Sequence, residues 1–206
     1  MFVKVCGLTR PEDAVLAAEL GASAVGMIFW GGSPRAITPE MARRVAAAVP
    51  RRVLTVGVFV DASRDDIARV VETVRLDAVQ LHGDEDATFV GTLPWPVIKA
   101  VTLPDDGTLP DVAQWNPATR VLLDAFDPVS RGGTGRTVDW RRAGMIAARR
   151  PIILAGGIHA DNVRVAVAAV KPAGIDVSSG VERAPGVKDA DRLRALFGAL
   201  DEMEAR

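Results

Sequence analysis

Eight short runs of Val, Ile and Leu recur along the chain, near residues 2–6, 24–29, 53–60, 77–81, 97–101, 120–124, 151–155 and 174–177. They are apolar almost without interruption, not in the alternation of a half-exposed strand. That continuity is expected of parallel strands covered on both faces. Segments of helical periodicity lie between most of them, with Ala14, Val15, Ala18 and Leu20 in 12–20, Ile67, Val70, Val71 and Val74 in 65–74, and Leu193, Leu196, Phe197 and Leu200 in 189–203. Helix-start signals agree. Thr9-Arg10-Pro11-Glu12 has the spacing of a capping box, Thr38-Pro39 puts a proline in a first turn, Ser63 precedes Asp66 by three residues, and Asp139 can cap the helix after 138. The fifth connection, 102–119, differs. Its three prolines leave room for at most a short helix at about 110–115.

Eight strands alternating with seven or eight helices divide 206 residues into units of about 26, short for a (β/α)8 barrel but sufficient. An open doubly wound sheet is the rival. It would usually carry a glycine-rich fingerprint after the first strand, and Cys6-Gly7-Leu8-Thr9-Arg10 is not one. The expected fold is α/β, a single compact (β/α)8 TIM barrel over residues 1–206 with a weak or absent fifth helix.

Composition narrows the function classes. Half the residues are hydrophobic (49%) and a quarter charged (25%), which excludes disorder and fibrous repeats. A net charge of −1 provides no global field for nucleic acid or an acidic membrane. One cysteine excludes a disulfide framework and any multi-cysteine metal site, and the two histidines lack ligand spacing. The first ten residues lack the apolar run of a signal peptide, and no stretch approaches the length of a membrane span. The expectation is a cytoplasmic protein, monomer or homodimer, whose partner is a small molecule and neither nucleic acid nor membrane.

In such a barrel the active site lies at the carboxyl ends of the strands. Several of these ends are polar where the strand pattern predicts apolar residues. Strand seven runs into Gly156-Gly157 and strand eight into Asp176-Val177-Ser178-Ser179-Gly180. One Gly-Gly pair is ordinarily a tight turn; glycine-rich loops after strands seven and eight together read as a phosphate cradle of backbone N–H groups. Cys6 ends strand one. It is either a small buried hydrophobe or, near Lys4, a thiolate that serves as base or nucleophile. Asp124 ends the apolar Val121-Leu122-Leu123, as a turn cap or as a general acid of raised pKa. Asp176 presents the same choice. Arg35, after Ser33-Pro34, stands at a strand end where a guanidinium can grip a carboxylate through two bonds. His82 lines the mouth or bonds a carbonyl.

Lys4-Val5-Cys6-Gly7-Leu8-Thr9, Ser33-Pro34-Arg35, Gly57-Val58-Phe59-Val60, Val79-Gln80-Leu81-His82-Gly83, Leu122-Leu123-Asp124, Gly132-Gly133-Thr134-Gly135 with Asp139-Trp140, Ala155-Gly156-Gly157, and the stretch Asp176 to Glu182 with Pro185-Gly186 and Lys188-Asp189 closely resemble the phosphoribosylanthranilate isomerase family, in order, from residue 3 to about 190. The resemblance implies a compact (β/α)8 barrel for the third step of tryptophan biosynthesis, an Amadori rearrangement without metal or organic cofactor. It also implies roles. Cys6 matches the general base, Asp124 the general acid and Arg35 the ligand of the anthranilate carboxylate. Gly156, Gly157, Ser178, Ser179 and Gly180 match the phosphate cradle, with Asp176, His82 and Gly133 as auxiliary candidates. A histidine-pathway sugar-phosphate isomerase is the nearest alternative, but it would use aspartates on strands one and five, where this chain has Cys6 and Lys99. A catalytically silent metabolite-binding barrel would not need Cys6, Asp124 and Arg35 together.

Overall fold

Each of the eight apolar runs forms a strand, in a computed structural model that describes residues 1–104, 106–125 and 137–204. The strands are β1 (Phe2–Val5), β2 (Ala24–Ile28), β3 (Leu54–Phe59), β4 (Ala78–Leu81), β5 (Val97–Leu103), β6 (Arg120–Ala125), β7 (Ile152–Leu154) and β8 (Gly174–Val177). Each pairs in parallel with the next, and β8 returns to β1, closing a barrel. Around it lie α1 (Pro11–Glu19), α2 (Pro39–Ala48), α3 (Arg64–Val74), α4 (Ala87–Gly91), α5 (Trp140–Ala147), α6 (Val163–Val170) and α7 (Ala190–Glu204). A small antiparallel hairpin, β9 (Glu182–Ala184) and β10 (Val187–Lys188), follows β8. The fold expected from the pattern is the fold observed.

The period of two along each strand separates two cores. Outward residues such as Val25, Met27, Val79, Leu81, Val121 and Leu123 join the helix faces in one cluster. Inward residues, among them Ala24, Val56, Ala78, Ile98, Leu122 and Ile153, form a second cluster inside the barrel. Toward the carboxyl ends the inward rows turn polar. Phe2 is followed at steps of two by Lys4 and Cys6, Ala78 by Gln80 and His82, Leu122 by Asp124, and Gly174 by Asp176 and Ser178. The functional face is therefore continuous with the barrel core, and packing holds its side chains.

Three of the helix starts behave as their sequences predict. Thr38 accepts from the Met41 N–H with Pro39 in the first turn, Ser63 accepts from the Asp66 N–H, and Asp139 accepts from the Arg142 N–H. The fourth does not. The residue capping α1 is Arg10, without a side-chain cap, and Thr9 Oγ1 instead donates to the Gly186 carbonyl at 2.5 Å. Tertiary contact with the hairpin has taken the hydroxyl that the capping-box spacing assigned to the helix. Between β5 and β6 there is no helix among the described residues, and 113–114 form only a turn. Carbonyls left open there are met by arginines. Arg150 donates to the carbonyls of Val112, Trp115, Asn116 and Thr119, and Arg142 to those of Pro104 and Thr108. Among the described residues no helix is long and apolar enough to cross a membrane.

Candidate active site

Strand register builds the site. Lys4 on β1 stands beside Asp176 on β8, and its Nζ donates to Asp176 Oδ1 at 2.9 Å with both side chains buried. Two residues on, Cys6 is buried above Lys4. The neighbouring position on β2 is Gly26, and a Cβ there would lie 2.8 Å from Cys6 Sγ and 3.1 Å from Lys4 Nζ. Glycine gives the thiol and the ammonium the space they share. Burial pushes the Cys6 thiol up; Asp176 adds to that, while Lys4 and Lys188 pull it back. Burial likewise raises Asp176 in spite of Lys4. It works against the Lys4 charge, yet Asp176 and Cys6 outweigh it and hold the ammonium above its ordinary value.

Asp124 stands across the barrel mouth from Cys6, with β7 and β8 between their strands. Its Oδ1 accepts from the Ala125 N–H at 2.8 Å, and its Oδ2 lies 3.4 Å from His82 Nε2. Gln80 Nε2 is 3.1 Å from His82 Nδ1. With Gln80 donating to Nδ1, the ring carries its proton on Nε2, the nitrogen that faces Asp124. His82 thus lines the mouth beside the carboxylate. The sequence pattern could have shown this, because Gln80 and His82 are two apart and share a face.

The loops after β7 and β8 meet closely. Gly156 and Gly157 have φ of 82° and 61°, the left-handed region that glycine enters without strain. Asn162 Nδ2 donates to the Gly157 carbonyl, and Asn162 Oδ1 accepts from the His159 N–H. A Cβ at Gly180 would lie 2.1 Å from the Ile158 carbonyl oxygen, so only glycine fits there. Ser179 and Gly180 open a 3-10 turn, Ser179–Val181. Among the described residues the N–H groups of Gly157, Ser179 and Gly180 donate to no main-chain carbonyl. Ser178 Oγ and Gln80 Oε1, also among the described residues, are buried without a hydrogen-bond partner. Buried polar atoms of that kind mark places a polar ligand can satisfy. Gly133 lies outside the described residues.

Arg35 is buried, and its stem crosses Gly7, whose Cβ would lie 2.6 Å from Arg35 Cδ. Its Nε bonds both oxygens of Glu182 at 3.0 Å and its Nη2 bonds Oε2 at 2.8 Å. Lys188 Nζ reaches Glu182 Oε1 at 2.8 Å and also donates to the carbonyls of Cys6 and Ser178. Burial opposes the Glu182 charge, but Arg35 and Lys188 outweigh it and hold the carboxyl below its ordinary value. The hairpin after β8 therefore ties the arginine, the cysteine strand and the cradle loop together. Sequence reasoning gave Glu182 and Lys188 no role; they adjoin no apolar strand end, and only the folded hairpin brings them to the site.

A family model for N-(5'phosphoribosyl)anthranilate (PRA) isomerase matches residues 3–199. The chain belongs to the phosphoribosylanthranilate isomerase family. It is 44% identical over 200 residues to the N-(5'-phosphoribosyl)anthranilate isomerase of Pelobacter propionicus, covering 97% of this chain and 95% of that one. The crystal structure of the phosphoribosyl anthranilate isomerase of Thermus thermophilus superposes with a TM-score of 0.88 at 43% identity, covering 98% of this chain and all of that one. A second isomerase structure, in complex with reduced 1-(o-carboxyphenylamino)-1-deoxyribulose 5-phosphate, gives a TM-score of 0.83 at 36% identity, covering 98% and 99%. The isomerase barrel is thus matched over nearly its whole length.

Proposed function

We propose that the chain catalyses the Amadori rearrangement of N-(5'-phosphoribosyl)anthranilate to 1-(2-carboxyphenylamino)-1-deoxyribulose 5-phosphate, with Cys6 as general base and Asp124 as general acid. The reaction needs both. An acid protonates the ring oxygen so that the furanose opens to a Schiff base. A base then removes the proton from the adjacent sugar carbon, and the resulting enolamine tautomerises to the ketone. The observation that carries this reading is the placement of a thiol and a carboxylate at opposite sides of one barrel mouth, each buried and each held by named partners. Binding to a single rigid frame aligns the two proton transfers without further ordering.

The ends of the substrate match what surrounds that pair. The N–H groups of Gly157, Ser179 and Gly180, with Gly156 and Ser178 shaping the loops, suit the phosphate. Arg35, fixed in place by Glu182, is the cation we assign to the anthranilate carboxylate. His82 stands beside Asp124. The ligand in the related complex, a reduced carboxyphenylamino-deoxyribulose phosphate with one phosphate and one carboxylate, supports the same division of labour.

The test is turnover of freshly generated phosphoribosylanthranilate, followed by loss of anthranilate-type fluorescence. The expected result is saturable conversion that inorganic phosphate inhibits competitively. Binding of the substrate without conversion would favour the silent barrel instead.

A further inference from the structure

Lys4 is fully buried inside the barrel, and the proposed chemistry gives it nothing to do. A lone ammonium there would lose its hydration, so it needs partners. It has two acids and can balance only one anion at a time. Its Nζ donates to Asp176 Oδ1 at 2.9 Å, and it adjoins Cys6 Sγ across the space that Gly26 leaves open. We propose that Cys6, Lys4 and Asp176 form one protonic unit, in which Asp176 is the positioning residue that receives the Cys6 thiol proton by way of the Lys4 ammonium.

The step balances. Lys4 gives Asp176 the proton of their hydrogen bond and takes the proton of the thiol. The unit passes from thiol, ammonium and carboxylate to thiolate, ammonium and carboxylic acid with its net charge unchanged. No proton crosses to solvent, so the base forms among buried groups at little cost in charge burial. Among the described residues the other charged groups around the thiol have partners of their own. Lys188 on the hairpin donates to the Cys6 carbonyl, shares Glu182 with Arg35, and acts with Lys4 to draw the thiol down. β2 contributes only Gly26, and Asp124 with His82 faces Asp176 from across the mouth. Burial raises both Cys6 and Asp176; Asp176 adds to the rise of Cys6, Asp124 adds to that of Asp176, and Lys4 pulls both back, as one cation does between two acids.

This inference rests on Cys6 being the base, yet its test does not use activity. The chain has one cysteine and no tyrosine, so thiolate absorbance in the ultraviolet reports Cys6 free of tyrosinate. A pH titration of the wild-type protein is expected to show the thiolate appearing in two steps, because the first proton lost from the pair is shared between sulfur and carboxylate. Asp176→Asn should show one step, with a midpoint lower by roughly one unit or more than the main wild-type step, since the competing anion is gone. Asp176→Glu should restore two steps, and Lys4→Met should move the midpoint upward. A merely structural Asp176 would not lower the thiol midpoint on removal. A single wild-type step overturns the proposal even where a variant fails to fold, as does an Asp176→Asn midpoint equal to or above that of the wild type. If the two steps appear while Cys6→Ser retains full turnover, the unit stands and the assignment of the base falls.

Discussion

Replacing Gly180 with alanine tests the phosphate cradle at its tightest point. The new methyl would sit 2.1 Å from the Ile158 carbonyl oxygen, and Cβ atoms essentially never come closer than 3.0 Å. The two loops must therefore separate by roughly 0.9 Å, and a main-chain oxygen has no rotamer into which to retreat. Gly180 is not among the residues of positive φ, so the substitution probes the contact and not backbone strain. A phosphate bridging the Gly157 and Gly180 N–H groups would have one bond stretched from about 2.9 Å to beyond hydrogen-bonding distance. A bond to a charged group contributes about 1.5–3 kcal/mol, which converts to a rise in KM of roughly 10–150-fold. The phosphate is held alike before and during the chemical step, so kcat should change little. Overpacking should also cost about 1–3 kcal/mol of stability. Steady-state kinetics, inhibition by inorganic phosphate and thermal unfolding read the three effects. A variant that unfolds at lower temperature yet keeps the wild-type KM and phosphate inhibition would show that these loops do not hold the phosphate.

Gly198 is the control: it lies within α7 with nothing inside 4 Å of its would-be Cβ, so Gly198→Ala should stabilise by about 0.5–1 kcal/mol in thermal or denaturant unfolding, with kinetics unchanged. Glu182→Gln removes the common partner of two buried cations and should cost about 3–5 kcal/mol near neutral pH, with a raised KM. Because the folded-state Glu182 carboxyl lies below its ordinary value, its contribution is complete above that ordinary value and drains away as pH falls through the folded one. The unfolding-temperature gap between wild type and Glu182→Gln should accordingly narrow in acid; a gap independent of pH would contradict the pairing. Arg35→Ala should raise KM far more than it lowers kcat, and a pure kcat loss would remove the arginine from substrate binding.

The barrel was legible because both faces of each strand are buried, which makes the strands near-continuous apolar runs whose ends stand out. The missing fifth helix was legible from the prolines of 102–119. The six carbonyls bonded by Arg142 and Arg150 in its place were not, since both arginines lie thirty residues or more away and no local pattern links them. Cys6, Asp124 and the glycine loops announced themselves as departures from the apolar strand pattern. Glu182 and Lys188 did not, because charged residues in a connecting segment read as solvated until the hairpin brings them to Arg35 and the Cys6 carbonyl. Thr9 shows the reverse error: a local signal was present, and a contact with residue 186 overrode it. Local chemistry is readable where one segment decides it, and unreadable where two distant segments share the decision.

The pairing of Cys6 and Asp124 as base and acid is tested most directly by kcat and its pH dependence in Cys6→Ser and Asp124→Asn. Both substitutions nearly preserve shape, so lost packing cannot account for lost rate. Each should lower kcat by roughly 10²–10⁴ with KM little changed, the usual contribution of a positioned acid or base. With the Cys6 thiol held above its ordinary value, the alkaline limb of the profile reports the thiol and should shift or vanish in Cys6→Ser, while Asp124→Asn should alter the opposite limb. Near-native turnover in Cys6→Ser would contradict the account and leave Cys6 a small buried residue at the end of β1.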